Sequence, residues 1–287
     1  MHRNFKLTLH KRKALTGMIL ILPGFIGFAF YILIPLFYNL YHSAFNRGGR
    51  FALLANYRSL FNSHAFMLAL RNTGLYLIIG GGLIIIISLL LAQVIFEMIN
   101  KNIRLAIFAK ISFLMPLVVP TGVSVIFVQI LFATNGSINT WLGTQTDWLN
   151  TPFAFWILVM LYIWKNFGYF VIIFFVAFSM ISPEVYEAAK CDGAGKLRIL
   201  FSITLPQIVP SLFFVFIMSI IGVFKMNRES YLLFGNYPNE AAYMFQNFIK
   251  NNLDNMDFGR AASSATVFLL IFSVLIFFMI RLAERNE

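Results

Sequence analysis

The chain has 287 residues, of which 60% are hydrophobic and only 11% charged, and its mean hydropathy is +0.80. Soluble domains are about 45–50% apolar and about 25% charged, so this composition excludes a water-soluble protein. The single cysteine, Cys191, excludes an intrachain disulfide framework and a cysteine-rich metal site. The net charge of +11 would suggest nucleic acid in a soluble protein. Here we interpret it as a topology signal of a chain in a lipid bilayer, and we expect no nucleic-acid partner.

Six apolar stretches are long enough to cross a bilayer as helices, since one span takes about 20 residues. They do not alternate in the way that the strands of a β-barrel do. The first follows a basic tail at residues 1–13 and is too long for a signal peptide, so we expect a retained span at residues 14–40. The predicted spans are residues 15–40, 75–96, 107–132, 152–180, 206–224 and 265–280.

The positions of the positive charges predict that both termini are cytoplasmic. With that orientation, 13 of the 22 Lys and Arg residues fall on the inside and eight on the outside, including Arg285 and Arg47 respectively. The outside loop between spans three and four has no Lys or Arg, as the positive-inside rule requires of short loops. We therefore predict an all-α polytopic membrane protein with six transmembrane helices, N-in and C-in.

Pairs of prolines stand early in spans three and five, namely Pro116 with Pro120 and Pro206 with Pro210. Proline lacks the backbone N–H that a helix interior needs, so each pair predicts a kink. A paired hinge or the remnant of an internal repeat is the alternative. In span two, the glycines at residues 80–82 predict either a close helix contact or a looser helix.

The cytoplasmic loop at residues 182–206 is the most informative segment. Ser182 at the N-cap, Pro183 at the first helical position and Glu184 in the first turn predict a short helix. Gly193 is placed to end this helix, because glycine adopts the left-handed conformation at little cost. On physical grounds alone, an ordinary solvated loop between two helices explains these features equally well.

Seven residues of this loop stand at a distinctive spacing, which are Glu187, Ala188, Ala189, Gly193, Ile203, Leu205 and Pro206. The pattern resembles, without a gap, the EAA loop of the permease subunits of binding-protein-dependent ABC importers. Further stretches resemble the carbohydrate branch of that family, which imports maltose, glycerol phosphate and oligosaccharides. These stretches are residues 71–73 (RNT), 164–168 (WKNFG), 181–186 (ISPEVY) and 192–194 (DGA).

The resemblance covers residues 71–281 and implies a permease core of five spans, with the fold of a type I ABC importer transmembrane domain. In one respect the chain departs from the family. Many sugar permeases have a Gly-Gly-Pro stretch after span five, whereas this chain reads LFGNYP at residues 233–238.

The partners of such a permease follow from the resemblance. They are a second, homologous permease in a heterodimer, two ATP-binding subunits that hold ATP-Mg, an extracytoplasmic solute-binding protein and a sugar, in a bacterial cytoplasmic membrane. Glu187 would bond to a basic group on an ATPase, Ala188 and Ala189 would pack in its groove, and Gly193 would make the turn. Asp192 is common at its position in this coupling stretch.

The chain itself is predicted to be a transport subunit without a cofactor, and not an enzyme. The residues GAGK at 193–196 look like part of a phosphate-binding loop, which has the form G-x-x-x-x-G-K-[ST]. The first glycine of that loop would fall at Lys190, and Leu197 stands where Ser or Thr is required. The ATPase must therefore be a separate chain.

Polar side chains within membrane spans are candidates for the substrate pathway. Lys165 is the most costly of them, and its alternative is to extend its amine to the membrane surface. Amide and charged groups suit sugar hydroxyls, and aromatic rings suit the apolar faces of sugars. The candidates are Lys165, Asn166, Tyr169, Trp164, Gln129 and Asn227.

Three other functions fit a polytopic chain. An intramembrane protease is disfavoured, because no HExxH sequence occurs and the histidines, at residues 2, 10, 42 and 64, lie outside the predicted core spans. A secondary transporter or channel is disfavoured, because no acidic residue lies within a predicted span to relay protons or sodium. An ABC permease for amino acids or peptides would share the EAA loop, and only the carbohydrate-branch resemblance separates it from a sugar permease.

Overall fold

The computed structural model describes residues 2–46, 48–99 and 101–284, with backbone alone at residues 2–12, 15 and 282–284. Arg47, Arg285 and most side chains of the predicted basic tail at residues 1–13 therefore lie outside what is described. The described residues contain no β-strand, only one isolated bridge between Phe45 and Phe51.

Along the described residues the α-helices, numbered in chain order, are α1 His2–Phe28, α2 Ile34–Ser43, α3 Leu53–Phe61, α4 His64–Tyr76, α5 Gly82–Ile99, α6 Ile103–Val118, α7 Thr121–Phe132, α8 Ser137–Leu142, α9 Phe153–Ser179, α10 Pro183–Cys191, α11 Lys196–Ile199, α12 Leu205–Gln207, α13 Val209–Lys225, α14 Asn227–Phe234, α15 Phe245–Asp254 and α16 Phe258–Glu284. Three π-helical turns join consecutive helices without a break in the chain direction, at Ala29–Leu33, Leu77–Gly81 and Leu200–Thr204. Two 3₁₀ turns are Trp148–Asn150 and Glu240–Ala242.

Among the described residues, six helical stretches are long and apolar enough to span a membrane, as predicted: Thr16–Ser43, His64–Ile99, Thr121–Leu142, Phe153–Ser179, Val209–Phe234 and Phe258–Arg281. The bounds differ most in the second, third and fifth. The second begins at His64 rather than at residue 75. The third begins at Thr121, because α6 is a separate helix. The fifth continues past Lys225 into α14 and so includes Glu229, which the hydropathy of the sequence had left outside the span.

The predicted kinks occur at the proline pairs. Helix α6 ends at Val118, Val119 is extended with φ −65° and ψ 123°, and α7 begins immediately after Pro120. A smaller break at Ile208 separates α12 from α13. Because proline cannot donate a hydrogen bond, helix continuity is lost at these places and nowhere nearby.

The chain forms two compact units, and the predicted division into tail, first span and permease core stays a prediction. The units comprise residues 1–62 with 252–269, and residues 63–251 with 270–287. In the first unit, the amide of Asn39 in α2 donates to the hydroxyl of Thr266 in α16, at 3.2 Å. Gly259 of α16 lies so close to the carbonyl oxygen of Phe45 that a Cβ would overlap it.

Helix α9 is the centre of the second unit, with α5, α6 and α13 packed around it. Its residues Leu158 and Tyr162 are fully enclosed. The Tyr162 hydroxyl donates to the carbonyl of Ser219 in α13 at 3.0 Å, and the Tyr76 hydroxyl donates to the carbonyl of Leu158 at 3.0 Å. These two buried tyrosine hydroxyls are thus satisfied by backbone oxygens of neighbouring helices. In a medium without water, such bonds fix the positions of the helices.

Two glycine contacts set the distances between these helices. Helix α6 crosses α9 at Gly168, where a Cβ would overlap the carbonyl oxygen of Phe113. In the glycine triplet, a Cβ on Gly81 would lie 2.9 Å from the hydroxyl of Ser219, whereas one on Gly82 would meet nothing within 4 Å. Of the two interpretations of the triplet, close helix contact is therefore the correct one.

We expect Gly168→Ala to destabilise the protein, because the added methyl group forces α6 away from α9. Overpacking of this kind costs about 1–3 kcal/mol. The measurement is the thermal unfolding midpoint of the detergent-purified protein. Gly82→Ala is the matched control and should leave the midpoint unchanged or raise it, since its methyl group meets open space and alanine favours helix. An equal loss in both variants would contradict the contact.

Candidate functional site

The loop at residues 182–206 begins with the predicted helix, α10. Ser182 occupies the N-cap, but its hydroxyl makes no capping hydrogen bond; its carbonyl oxygen accepts from the N–H of Val185 at 3.1 Å. Pro183 is the first helical residue and Glu184 lies in the first turn, as predicted. The helix start is therefore set by Pro183 and by the favourable charge of Glu184 rather than by a hydroxyl cap.

Gly193 ends α10 in the left-handed conformation that its position predicted, with φ +73°. The N–H of Gly193 donates to the carbonyl of Lys190 at 3.0 Å, and the N–H of Ala194 donates to that of Ala189 at 2.9 Å. These two bonds form a Schellman motif, which satisfies the last carbonyls of the helix and reverses the chain. The turn gives α10 a fixed length and a fixed exit direction.

The coupling residues do not all face the same way. Glu187, Ala188 and Asp192 are exposed, whereas Ala189 is only 7% exposed. Successive helical residues point about 100° apart, so two adjacent alanines cannot share one face. The prediction that both alanines pack in a partner's groove therefore needs correction: Ala189 packs within this chain, and Ala188 is the one available to a partner. The ring of Tyr186 also faces inward, 5.7 Å from that of Phe96.

A cleft of about 700 Å³ lies beside α10. Glu187 lines it, together with Gln93 and Lys101 from the α5 end of the second span and its following turn. Across it, the amine of Lys196 contacts a carboxylate oxygen of Glu97 at 2.6 Å. The side chain of Lys196 is 79% exposed, so this ion pair adds little stability.

The lysine within the fourth span has a partner that the sequence did not reveal. The Lys165 amine lies 2.6 Å from a carboxylate oxygen of Glu229 and donates to the hydroxyl of Thr121 at 2.9 Å. The Thr121 hydroxyl donates to the same carboxylate oxygen at 3.1 Å. The side chains of Lys165 and Glu229 are 12% and 6% exposed, so Lys165 does not extend to the membrane surface.

The prediction that no acidic residue lies within a span is wrong, because Glu229 lies within the fifth span. The partners are 64 residues apart in the chain, so no local pattern could join them. One signal was available: Glu229 follows Lys225 and Arg228 at the end of an apolar run. These neighbouring cations suggested a membrane surface, but the helix continues and Glu229 faces inward.

The other predicted pathway residues make contacts of their own that do not involve the ion pair. Trp164 stacks on Phe127 of α7, with ring centroids 5.8 Å apart. Asn227 begins α14, and its side-chain amide oxygen is buried without a hydrogen-bond partner. The amide of Asn166 donates to the carbonyl of Tyr162 within its own helix, at 2.9 Å. Tyr169 is partly exposed, and its ring contacts Phe170 rather than the ion pair.

Gln129 lies in a separate, open cleft of about 570 Å³ that is also lined by Asn135, Thr140 and Trp141. Trp141 is 85% exposed. The cleft thus combines amide and hydroxyl groups with a free aromatic face, which is the chemistry that sugars favour. Its place in transport stays a prediction.

The loop that carries Trp141 is organised by one buried side chain. The amide nitrogen of Asn139 donates to the carbonyls of Thr134, at 2.9 Å, and of Thr146, at 2.7 Å. Its oxygen accepts from the indole N–H of Trp148 at 2.8 Å. Asn139 is therefore the common partner of both halves of the loop between α7 and α9.

Comparison with known proteins decides the family. Residues 84–286 match the family described as binding-protein-dependent transport system inner membrane component. This chain belongs to that family. Its role is accordingly that of a permease subunit, a transport component of the membrane.

The permease is similar to the probable ABC transporter permease protein MG188 of Mycoplasma genitalium, with 29% identity over 276 residues, 89% of this chain and 81% of that one. It is also similar to the arabinooligosaccharides transport system permease protein AraP of Halalkalibacterium halodurans, with 29% identity over 237 residues, 78% of this chain and 73% of that one. A crystal structure of a bacterial alginate ABC transporter, in complex with alginate pentasaccharide-bound periplasmic protein, matches with a TM-score of 0.81 and 22% identity over 96% of both chains. This likeness confirms the predicted fold of a type I ABC importer transmembrane domain, and the N-in, C-in orientation stays a prediction.

The residues that open the permease core have a structural role. The amide of Asn72 donates to the carbonyls of Glu240, at 2.6 Å, and Tyr243, at 3.0 Å. The hydroxyl of Thr73 accepts from the N–H of Phe245 at 2.9 Å. The Asn-Thr pair therefore ties the start of the second span to the segment that precedes α15.

We expect Gly193→Ala to reduce transport by this permease. A side chain at φ +73° costs roughly 1–2 kcal/mol, and the chain would relieve that strain by altering the turn after α10. The measurement is ATP-dependent uptake into cells or vesicles, normalised to the amount of inserted permease. Gly195→Ala is the control, since its φ of −68° suits any residue and no atom lies within 4 Å of the added methyl group. Equal uptake in both variants would contradict a role of this turn.

Proposed function

We propose that this permease is a subunit of an ATP-driven, binding-protein-dependent importer of a carbohydrate, an oligosaccharide or a related sugar. The observation that carries the proposal is α10, a short helix with a fixed end that leaves Glu187 and Ala188 exposed directly after the central helix α9. The names of the similar proteins support the substrate class, since one transports arabinooligosaccharides and another alginate. The substrate would be translocated by alternating access between the two sides of the membrane.

The complete importer would contain further subunits. We propose a second, homologous permease as the partner in a heterodimer, two ATP-binding subunits that hold ATP-Mg, and an extracytoplasmic solute-binding protein. The membrane would be the cytoplasmic membrane of a bacterium, with both termini and α10 on the cytoplasmic side. This chain would bind no cofactor of its own, and ATP hydrolysis would belong to the partner subunits.

In this scheme α10 transmits the movement of an ATPase to the membrane helices. Glu187 would bond to a basic group of the ATPase, and Ala188 would allow close approach to its surface. The inward contacts of Tyr186 and Ala189 hold α10 on its own chain, so that a displacement of α10 is passed on to α5 and α9. ATP binding shifts the permease between two states only if the ATPase contacts of α10 differ in strength between them.

A permease for amino acids or peptides is the second candidate, because it would use the same coupling helix. The substrates in the names of the similar proteins, arabinooligosaccharides and alginate, favour carbohydrate over this candidate. A secondary transporter or channel, although Glu229 now offers it a carboxylate, would have no use for an exposed coupling helix.

Affinity purification of the permease from its native membrane in mild detergent tests the proposal, with the accompanying proteins identified by mass. We expect a second six-span permease, an ATPase and a sugar-binding protein. Recovery of an amino-acid- or peptide-binding protein would favour the second candidate. Recovery of a stable, isolated chain would contradict an ABC importer.

We expect Glu187→Ala to abolish uptake while the chain remains inserted, because the exposed carboxylate is the group that α10 offers to a basic partner. Uptake and ATP hydrolysis are measured on the purified complex. Glu184→Ala is the matched control: it removes the same charge from the same helix, and its loss near the N-terminus costs only about 0.3–1 kcal/mol of helix stability. Normal uptake by Glu187→Ala, or equal losses in the two variants, would overturn the assignment.

A further inference from the structure

Lys165, Glu229 and Thr121 come from three different helices. Glu229 and Thr121 each lie directly after an interruption between two helices. Thr121 is the first residue of α7, directly after the break at Val119 and Pro120. Glu229 lies in the first turn of α14, directly after the turn at Met226 that ends α13. Lys165 itself lies near the middle of α9, which runs unbroken for 27 residues.

Helices α7 and α14 pack against each other, and together they form what we call the flap, residues 121–132 and 227–234. Each half of the flap is joined to the preceding helix by a break or a turn. Helix α14 also ends at Gly235, which has φ +73°. Movements between helices are absorbed at a few residues at helix ends, and the flap has such residues at both of its entry points.

Both polar and aromatic contacts attach the flap to α9: the Lys165 amine contacts Glu229 and Thr121, and Trp164 stacks on Phe127. On α14, the hydroxyl of Ser230 and the side-chain oxygen of Asn227 are buried without a hydrogen-bond partner. Buried polar atoms of native proteins are nearly always paired, so this part of α14 lacks hydrogen bonds that would fasten it in place.

We propose that Lys165, Glu229 and Thr121 form a latch that holds the flap against α9 and that opens during each transport cycle. The inference rests on the proposed transport function. When the flap swings about the breaks at residues 119–120 and 226, the carboxylate of Glu229 leaves the amine of Lys165. Two separated charges are tolerated inside a membrane only when water reaches them, so the flap is either closed and dry or open and hydrated. Glu229 and Thr121 are thus positioning residues that give the permease two distinct states.

The latch controls one end of the permease. Helix α7 begins beside Lys165, and the loop at residues 133–150 leads from its far end to Phe153, the start of α9. The flap contacts α9 at Trp164 and Lys165, near the middle of that helix, and the chain runs from α7 to the start of α9, whereas α10 follows the other end. Movement of the flap would open the pathway on the side opposite to the ATPases.

Cysteine accessibility tests the latch with a control on the other side of the turn. In a Cys191→Ser background, Ser230→Cys places a thiol on the flap and Ser219→Cys places one on α13. Both serines are at most 3% exposed, and neither hydroxyl has a hydrogen-bond partner. The readout is the rate of labelling by a membrane-impermeant maleimide applied from the extracytoplasmic side, in intact membranes that contain the complete importer.

With the latch intact, we expect both thiols to be protected. Adding Glu229→Gln leaves the charge of Lys165 without its partner and should raise the labelling rate of Ser230→Cys by about tenfold or more, with Ser219→Cys still protected. Thr121→Val should act in the same direction but more weakly. The exchange Lys165→Glu with Glu229→Lys should restore protection, because it restores the ion pair.

Two results would overturn the latch. If Ser230→Cys stays protected in Glu229→Gln, the ion pair does not hold the flap. If Ser219→Cys becomes labelled to the same extent, Glu229 is a general structural brace and the flap is not a separate moving part. Neither result depends on which substrate is transported. The labelling rate reports the flap, whereas purification of the accompanying subunits tests the proposed function, so failure of the latch is distinguishable from failure of the function.

Discussion

The ammonium group of Lys165 lies halfway along the most enclosed helix of the chain, in a region where water is scarce. A charge at this depth is tolerated only if another charge and further hydrogen bonds accompany it. The fifth span extends beyond its apolar run, so that a carboxylate oxygen of Glu229 lies 2.6 Å from the Lys165 amine. The helix of the predicted third span is interrupted, so that Thr121 begins α7 beside the same amine. The irregularities of two spans thus supply the partners of one buried cation.

The rest of the second unit is built to hold α9 without water. Hydroxyls of Tyr76 and Tyr162 donate to backbone carbonyls across helices, and glycines at positions 81 and 168 let the backbones approach each other closely. Hydrophobic driving forces between helices are weak in a bilayer, so close packing and internal hydrogen bonds must fix these distances. Beyond the far end of α9, the inward ring of Tyr186 holds α10 against Phe96 of α5.

Much of this organisation is predictable from local sequence. The apolar runs gave the six spans, Pro183 and Gly193 gave both ends of α10, and Pro120 gave the break in the third span. Features that depend on contacts between distant residues were not predictable. Hydropathy ended the fifth span near Lys225 because it cannot show that Glu229 faces a lysine 64 residues earlier. Nor does a motif distinguish the two alanines of α10, of which one is buried and one exposed.

The loop between α7 and α9 has a consequence for anything that meets the permease there. Asn139 ties both halves of the loop together, so the backbone around the exposed Trp141 is ordered before any molecule arrives. Association at a flexible surface must offset the conformational entropy lost when loops become ordered, and here that loss has already occurred on folding. A molecule that binds at this surface therefore meets a preorganised site, and no loop has to fold on binding. The selectivity of the site depends on the loop conformation that Asn139 maintains.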